Sequence, residues 1–195
     1  MTLPAQSLAD LATPADRARF IADAGGLDRL AAAGDLAVPV SLPLAEALIL
    51  GLMRQGVTKY LAIFGHGSTA IADVLRVYEQ AGLLRCWQFR NEIEMAHAAT
   101  ALSWVYGEVA AVVTSIGPGA LQAMAASLVA SSNGIGVYHL YGDETTHGEG
   151  YNMQQVPKPA QGVFSQISSL MGASYTLHSP GGLRDGLRKG AASVF

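Results

Sequence analysis

This chain holds a single cysteine, Cys86, among 195 residues. One thiol forms no internal disulfide and no cysteine-based metal site. Charge is also scarce: 14% of residues are Asp, Glu, Lys or Arg, and the formal net charge is -3. With no cluster of lysine and arginine, the electrostatic footprint that nucleic acid demands is missing. No apolar run reaches membrane-spanning length, so no membrane partner is expected. The opening residues, MTLPAQSLADLATPADRARF, match neither a secretory signal nor a basic transit sequence, and the cytoplasm is the expected compartment. Two nucleotide-binding signatures are absent as well. Gly65-His66-Gly67-Ser68 lacks the GK[ST] ending of a P-loop, and Ala70 stands where GxGxxG needs its last glycine. No acidic partner for a ribose is evident, which leaves a flavin or dinucleotide site as a distant alternative.

What the chain does have is apolar content. Half of its residues are hydrophobic, a high share for a soluble monomer, which implies surface buried against other chains. The length suits one domain with an appendage. Residues 1–40 form the appendage. Thr13-Pro14 opens a helix expected to run through Arg29, with Phe20, Ile21, Ala24 and Leu27 at helical spacing, before Gly34-Asp35 and Pro39 break it. We expect this arm to pack outside the sheet or on a partner chain.

From Ser41 onward, strands and helices alternate. Ser41 is the expected cap of a helix to about Gln55, closed by Gly56. Strands are expected at Lys59–Gly65, Arg85–Arg90, Val109–Ser115, Ile135–Gly142 and Ala173–His178, with Cys86 as a small buried hydrophobe in the second. Helices follow Ser68, Asn91 and Gly119, and a last one starts near Gly181. A polar loop over Asp143 to Pro159 carries Glu144, His147, Glu149, Gln154 and Gln155. This alternation predicts an α/β fold: a parallel sheet with helices on both faces, plus the helical arm. Right-handed crossovers then gather the strand-to-helix turns on one rim, where ligands bind in such sheets. Gly65–Ser68, Asn91-Glu92 and Ser115–Gly119 all fall there.

The stretch QFRNEIEMAHAATALS organises that rim. Glu92 and Glu94 lie in the first turn of a helix, where carboxylates complement the dipole. The residues behind them are small, so another element must pack closely on the carboxylate, and a buried glutamate can hold or hand over a proton near neutral pH. Glu94 lies about 200° around the helix from Glu92, so the two do not share one site. Glu92 is the candidate; Glu94 is read as structural and His97 as packing. Glycines 65 and 67 allow close backbone approach. Pro118 suits a helix start between Gly117 and Gly119.

Taken together, FGHGS, RNEIEMAHAA and VVTSIGPGA resemble the pyrimidine-binding (PYR) domain of thiamine-diphosphate-dependent enzymes of the acetolactate synthase superfamily. Within it, the series is most similar to the trihydroxycyclohexanedione hydrolase group of inositol breakdown. The resemblance covers 41–195. It implies thiamine diphosphate as cofactor and Glu92 as its activating glutamate, bonded to the far ring nitrogen of the aminopyrimidine so that the imino form is favoured. It further implies that Gly65, Gly67, Ser115, Gly117, Pro118 and Gly119 line the pyrimidine pocket, and that Gln154 or Gln155 approaches the substrate. Where many relatives have proline in the first turn this chain has His66, a candidate substrate-side acid or base. Asn91 replaces a common histidine. Both departures lead away from acetolactate synthase.

The resemblance also implies parts that this sequence lacks. Diphosphate is held through a divalent cation on oxygen ligands, in this superfamily by a Gly-Asp-Gly…Asn motif. Tyr141-Gly142-Asp143-Glu144 comes nearest and lacks the second glycine. No metal ligand is therefore assigned here, and Mg2+ is expected only through a separate diphosphate-binding domain, in the same full-length chain or a second subunit. The expected protein is a homo-oligomer acting on a small molecule, with 41–195 truncated before its further domains. The expected chemistry is at a C–C bond next to a carbonyl, including hydrolysis of a cyclic 1,2-dione; this chain alone is expected to be inactive. The alternatives are an acetolactate synthase-like or 2-keto acid decarboxylase subunit, or a non-catalytic interaction domain of the same fold.

Overall fold

The computed structural model describes residues 7–142 and 163–195. Four strands, β1 (Lys59–Ile63), β2 (Arg85–Gln88), β3 (Ala110–Ser115) and β4 (Tyr138–Gly142), form one sheet in the order β2-β1-β3-β4. Every pairing is parallel. The helices among the described residues are α1 (Pro14–Asp23), α2 (Leu27–Ala33), α3 (Leu44–Met53), α4 (Thr69–Gln80), α5 (Glu92–Tyr106), α6 (Pro118–Ser132), α7 (Val163–Ser169) and α8 (Leu183–Val194).

Period-2 geometry divides the central strands between two cores. Tyr60, Ala62, Ala111 and Val113 pack with Ile49, Leu52, Leu75 and Tyr78 of α3 and α4. Leu61, Ala110 and Val112 face the other way, onto Met95, Ala96 and Ala99 of α5 and Ala123 and Ala126 of α6. The alanines let α5 and α6 lie close to the sheet. The parallel sheet with helices on both faces is thus the fold that the alternation predicted.

Several local expectations need correction. The arm helix does not run from Thr13 to Arg29; Gly25-Gly26 divides it into α1 and α2. Ser41 does not cap α3, which starts at Leu44 behind Pro43 with no side-chain cap. Ala173–His178 forms no strand; instead its Tyr175 ring lies against Gly182 and Gly186 at the start of α8. β2 is an edge strand with Arg85, Trp87 and Gln88 exposed. Cys86 there is half-buried, and burial pushes its thiol up to about 11, which makes it a poor nucleophile.

The described part of the arm is helical and shares the core: Ala18, Ile21, Leu27 and Leu30 are buried with α3 and α4. A polar clamp lies beside them. Arg17 Nε and Nη2 donate to the two carboxylate oxygens of Glu46 at 2.8 and 2.5 Å, and Arg17 Nη1 donates to the Leu11 carbonyl at 2.6 Å. Tyr78 Oη also donates to Glu46 Oε1, at 2.8 Å. Arg17 and Glu46 are both buried. Hydrogen bonding to Glu46 holds the Arg17 guanidinium above its usual pKa, and burial pushes the Tyr78 phenol up.

A second polar group lies under α6. Ser127 Oγ donates to the Ala123 carbonyl at 2.9 Å, so it accepts from His139 Nε2 at 3.1 Å. That arrangement puts the proton on Nε2, and the enclosed Nδ1 has no hydrogen-bond partner among the described residues. Burial pushes His139 down to about 4. The unfolded chain therefore takes up a proton near pH 6.5 that the folded chain refuses until about pH 4. Stability from this group is complete above pH 6.5 and is lost as pH falls toward 4, by on the order of 2–3 kcal/mol. Urea unfolding of His139→Phe beside wild type is expected to lose that part of the pH slope, and an unchanged slope would place its origin elsewhere.

Candidate functional site

Strand order reverses direction at β1 and β3. The chain leaves β1 for α4 and β2 on one side, then returns to β3 and leaves it for α6 and β4 on the other. The crevice between their carboxyl ends is the topological switch point, where α/β sheets bind ligands. The three stretches singled out by sequence meet there.

Asn91 sets the geometry of the middle one. Its side-chain oxygen accepts from the backbone N–H of Ile93 at 2.9 Å and of Glu94 at 3.1 Å, capping α5. Glu92 becomes the first helical residue, half-buried, while Glu94 and His97 point to solvent. His97 is therefore no packing residue. Glu92 lies against the backbone of α6: a Cβ added to Gly119 would sit 3.2 Å from Glu92 Oε1 and 3.9 Å from Thr114 Cβ. A side chain at 119 would fill the space that the carboxylate faces. Gly117 sets up that approach, because its φ of +93° is one that L-residues rarely adopt, and Pro118 then begins α6.

The first glycine stretch folds as a tight turn, with a 3-10 segment at His66–Ser68. Ser68 Oγ accepts from the Gly65 N–H at 3.0 Å and donates to the Gly65 carbonyl at 3.2 Å. The turn is tied to β3, since the Gly67 N–H donates to Ser115 Oγ at 3.2 Å. A Cβ on Gly65 would come within 2.7 Å of Ser115 Cβ. Gly142, at the end of β4, closes the other side, where a Cβ would meet the Gly67 carbonyl oxygen at 2.3 Å. His66 is exposed at the head of the turn.

Gly65, Gly67, Glu92, Ser115, Gly117, Pro118 and Gly119 thus share one rim. Two further residues belong beside them that motif spacing does not reveal. Gly142 seats the turn, and the buried Thr114 has a hydroxyl with no hydrogen-bond partner among the described residues. Strand register was the available signal, since the pairs Thr114–Tyr141 and Ser115–Gly142 end the β3–β4 ladder at this rim. Asp143, Glu144, His147, Glu149, Gln154 and Gln155 lie outside the described residues. Among the described residues, no group of three His, Cys, Asp or Glu side chains could hold a metal ion, and no helix is long and apolar enough to cross a membrane.

A doubly wound parallel sheet with a half-buried carboxylate opposite glycine backbone at its switch point defines a class of cofactor-binding α/β domain. Residues 43–168 match the family described as thiamine pyrophosphate enzyme, N-terminal TPP binding domain, and the chain belongs to that family. It is also similar to proteins named 3D-(3,5/4)-trihydroxycyclohexane-1,2-dione hydrolase. Identity is 37% over 121 residues to that of Shouchella clausii, covering 55% of this chain and 19% of the relative. It is 38% over 117 residues to that of Bacillus velezensis, covering 53% and 18%, and 38% over 111 residues to that of Bacillus subtilis, covering 50% and 17%. The matched region spans about a fifth of the length of these curated relatives.

Proposed function

We propose that this chain is the pyrimidine-binding portion of a thiamine-diphosphate-dependent enzyme that cleaves a C–C bond next to a carbonyl, with hydrolysis of a cyclic 1,2-dione as its reaction. Residues 41–195 are the cofactor domain and 1–40 its helical arm. The observation that carries the proposal is the Glu92 carboxylate facing the bare backbone of Gly119. A flat heteroaromatic ring needs such a slot: an acid at one edge and main chain without side chains around it. The Gly65–Ser68 turn, seated on Ser115 and Gly142, supports the same reading.

When bound, thiamine diphosphate supplies an acidic thiazolium C–H and an electron sink next to the substrate carbonyl. This chain's residues have narrower tasks. Glu92 shares a proton with the pyrimidine ring nitrogen. Gly65, Gly67, Gly117, Pro118 and Gly119 present backbone to the ring and keep water out. His66, at the exposed head of the turn, serves the substrate as acid or base. The diphosphate and its Mg2+ are held by a separate diphosphate-binding domain, within the same protein or a second subunit, in a cytoplasmic homo-oligomer. The dione substrate is inferred from the names of the relatives at 37–38% identity.

Gly119→Ala tests the slot in the full protein with its diphosphate-binding domain. Alanine favours the α6 helix by up to about 1 kcal/mol over glycine, so the melting temperature without cofactor is expected to hold or rise. Thiamine diphosphate affinity by calorimetry is expected to fall about tenfold, the loss of one close contact worth about 1.4 kcal/mol. Unchanged affinity would mean that the ring lies elsewhere.

A further inference from the structure

The tip of β3 carries two adjacent hydroxyls that point to opposite faces of the sheet. Ser115 is accounted for, since its oxygen accepts from the Gly67 N–H. Thr114 is not. It is fully buried, and its Oγ1 has no hydrogen-bond partner among the described residues. Enclosing an unsatisfied hydroxyl is unfavourable, and natural cores rarely keep one without a reason. A valine there would hold the same β-branched shape without that penalty, as Val112 and Val113 do in the same strand. The location supplies the reason. Thr114 belongs to the alternate set, with Ala110 and Val112, that faces α5 and α6. Its Cβ lies 3.9 Å from the point where a Cβ on Gly119 would sit, and Glu92 Oε1 lies 3.2 Å from that same point.

We infer that Thr114 is a positioning residue for Glu92: its hydroxyl is the hydrogen-bond donor that orients the Glu92 carboxylate when the site is loaded. This rests on Glu92 being the group that meets the cofactor ring. A carboxylate held only by its own flexible side chain has a choice of rotamers, and a donor fixed on a buried strand removes it. The strand is a rigid place for such a donor, with Thr114 paired across to Ile63 and Tyr141. The threonine methyl meanwhile fills the core, so the residue type serves both packing and orientation.

The test compares wild type, Thr114→Val, Thr114→Ser, Glu92→Gln and the Thr114→Val/Glu92→Gln double variant, in the full protein with its diphosphate-binding domain. Two quantities are read: the melting temperature without cofactor, and the exchange rate of the thiamine C2 proton into deuterated water. Thr114→Val is expected to melt at or above wild type while exchanging about tenfold more slowly, in line with a hydrogen bond to a charged group. Thr114→Ser is expected to restore exchange to within about twofold, since it keeps the same charge-assisted donor. In the Glu92→Gln background, Thr114→Val is expected to add nothing, because its effect runs through Glu92. A lower melting temperature with unchanged exchange would overturn the inference and make Thr114 a plain packing residue. An equal loss in both backgrounds would overturn it too. If Glu92→Gln exchanges like wild type, the reading of the whole site fails, and this inference with it. If Glu92→Gln is slow and Thr114→Val is not, only the inference fails.

Discussion

Glu92→Gln is expected to slow thiamine C2 proton exchange by about 10²–10³-fold, within the range of a positioned acid or base. Glutamine keeps the size and the first-turn position of Glu92 but can neither take nor give the proton. The substitution removes one negative charge from the N-terminus of α5, a dipole contribution of about 0.3–1 kcal/mol. Stability should therefore change little, and the loss should lie in the exchange rate. Glu94→Gln makes the same change in charge on the solvent side of the helix and is expected to exchange like wild type. The pair isolates chemistry from electrostatics: equal rates for Glu92→Gln and wild type would remove the proposed role of Glu92.

Arg17→Met should be the most destabilising substitution in the arm. It strands the buried Glu46 carboxylate and removes both of the arginine's bonds to it, leaving Tyr78 as the remaining donor. Breaking one partner of a buried ion pair costs about 3–5 kcal/mol. For a domain of this size that is roughly 10 °C in melting temperature. The double variant Arg17→Met/Glu46→Gln should recover much of the loss, because a neutral amide can still accept from Tyr78 with no charge left unpaired. Urea unfolding of both variants decides the matter. A cost below about 1 kcal/mol for Arg17→Met would mean that the clamp is solvated, as exposed pairs are. A large cost would show that the arm is held into the fold from its first turn.

The sheet was legible in the sequence for a physical reason. β1 and β3 are covered on both faces, so they read as unbroken apolar runs bounded by glycine and polar turns. The convergence of Gly65, Glu92 and Gly119 was legible too, because parallel crossovers leave the chain little choice about which rim receives each strand-to-helix turn. Local detail was harder. The spacing of Phe20, Ile21, Ala24 and Leu27 continues a helical pattern straight through Gly25-Gly26, so periodicity missed the break. α5 and α6 carry apolar residues all the way round, Ile93, Trp104, Leu121 and Leu128 among the exposed ones, which hid that His97 faces water. Ala173–His178 has the composition of a strand, but it is mostly exposed, with its Tyr175 ring laid on the start of α8. Thr114 left no mark in the sequence, because a threonine in a buried strand looks like ordinary β-branched filling; only its missing partner gives it away.

The parallel layout separates two workplaces. Every helix-to-strand corner, including Gly82-Leu83 and Gly107-Glu108, lies at the end of the sheet opposite Glu92, where Lys59 pairs with Glu108. A fluorescent dye or an affinity peptide fixed at Glu108 would stand a full strand length away from the proposed cofactor crevice. Reporter groups can therefore be attached at that end, and binding watched at the other, without the probe touching what it measures.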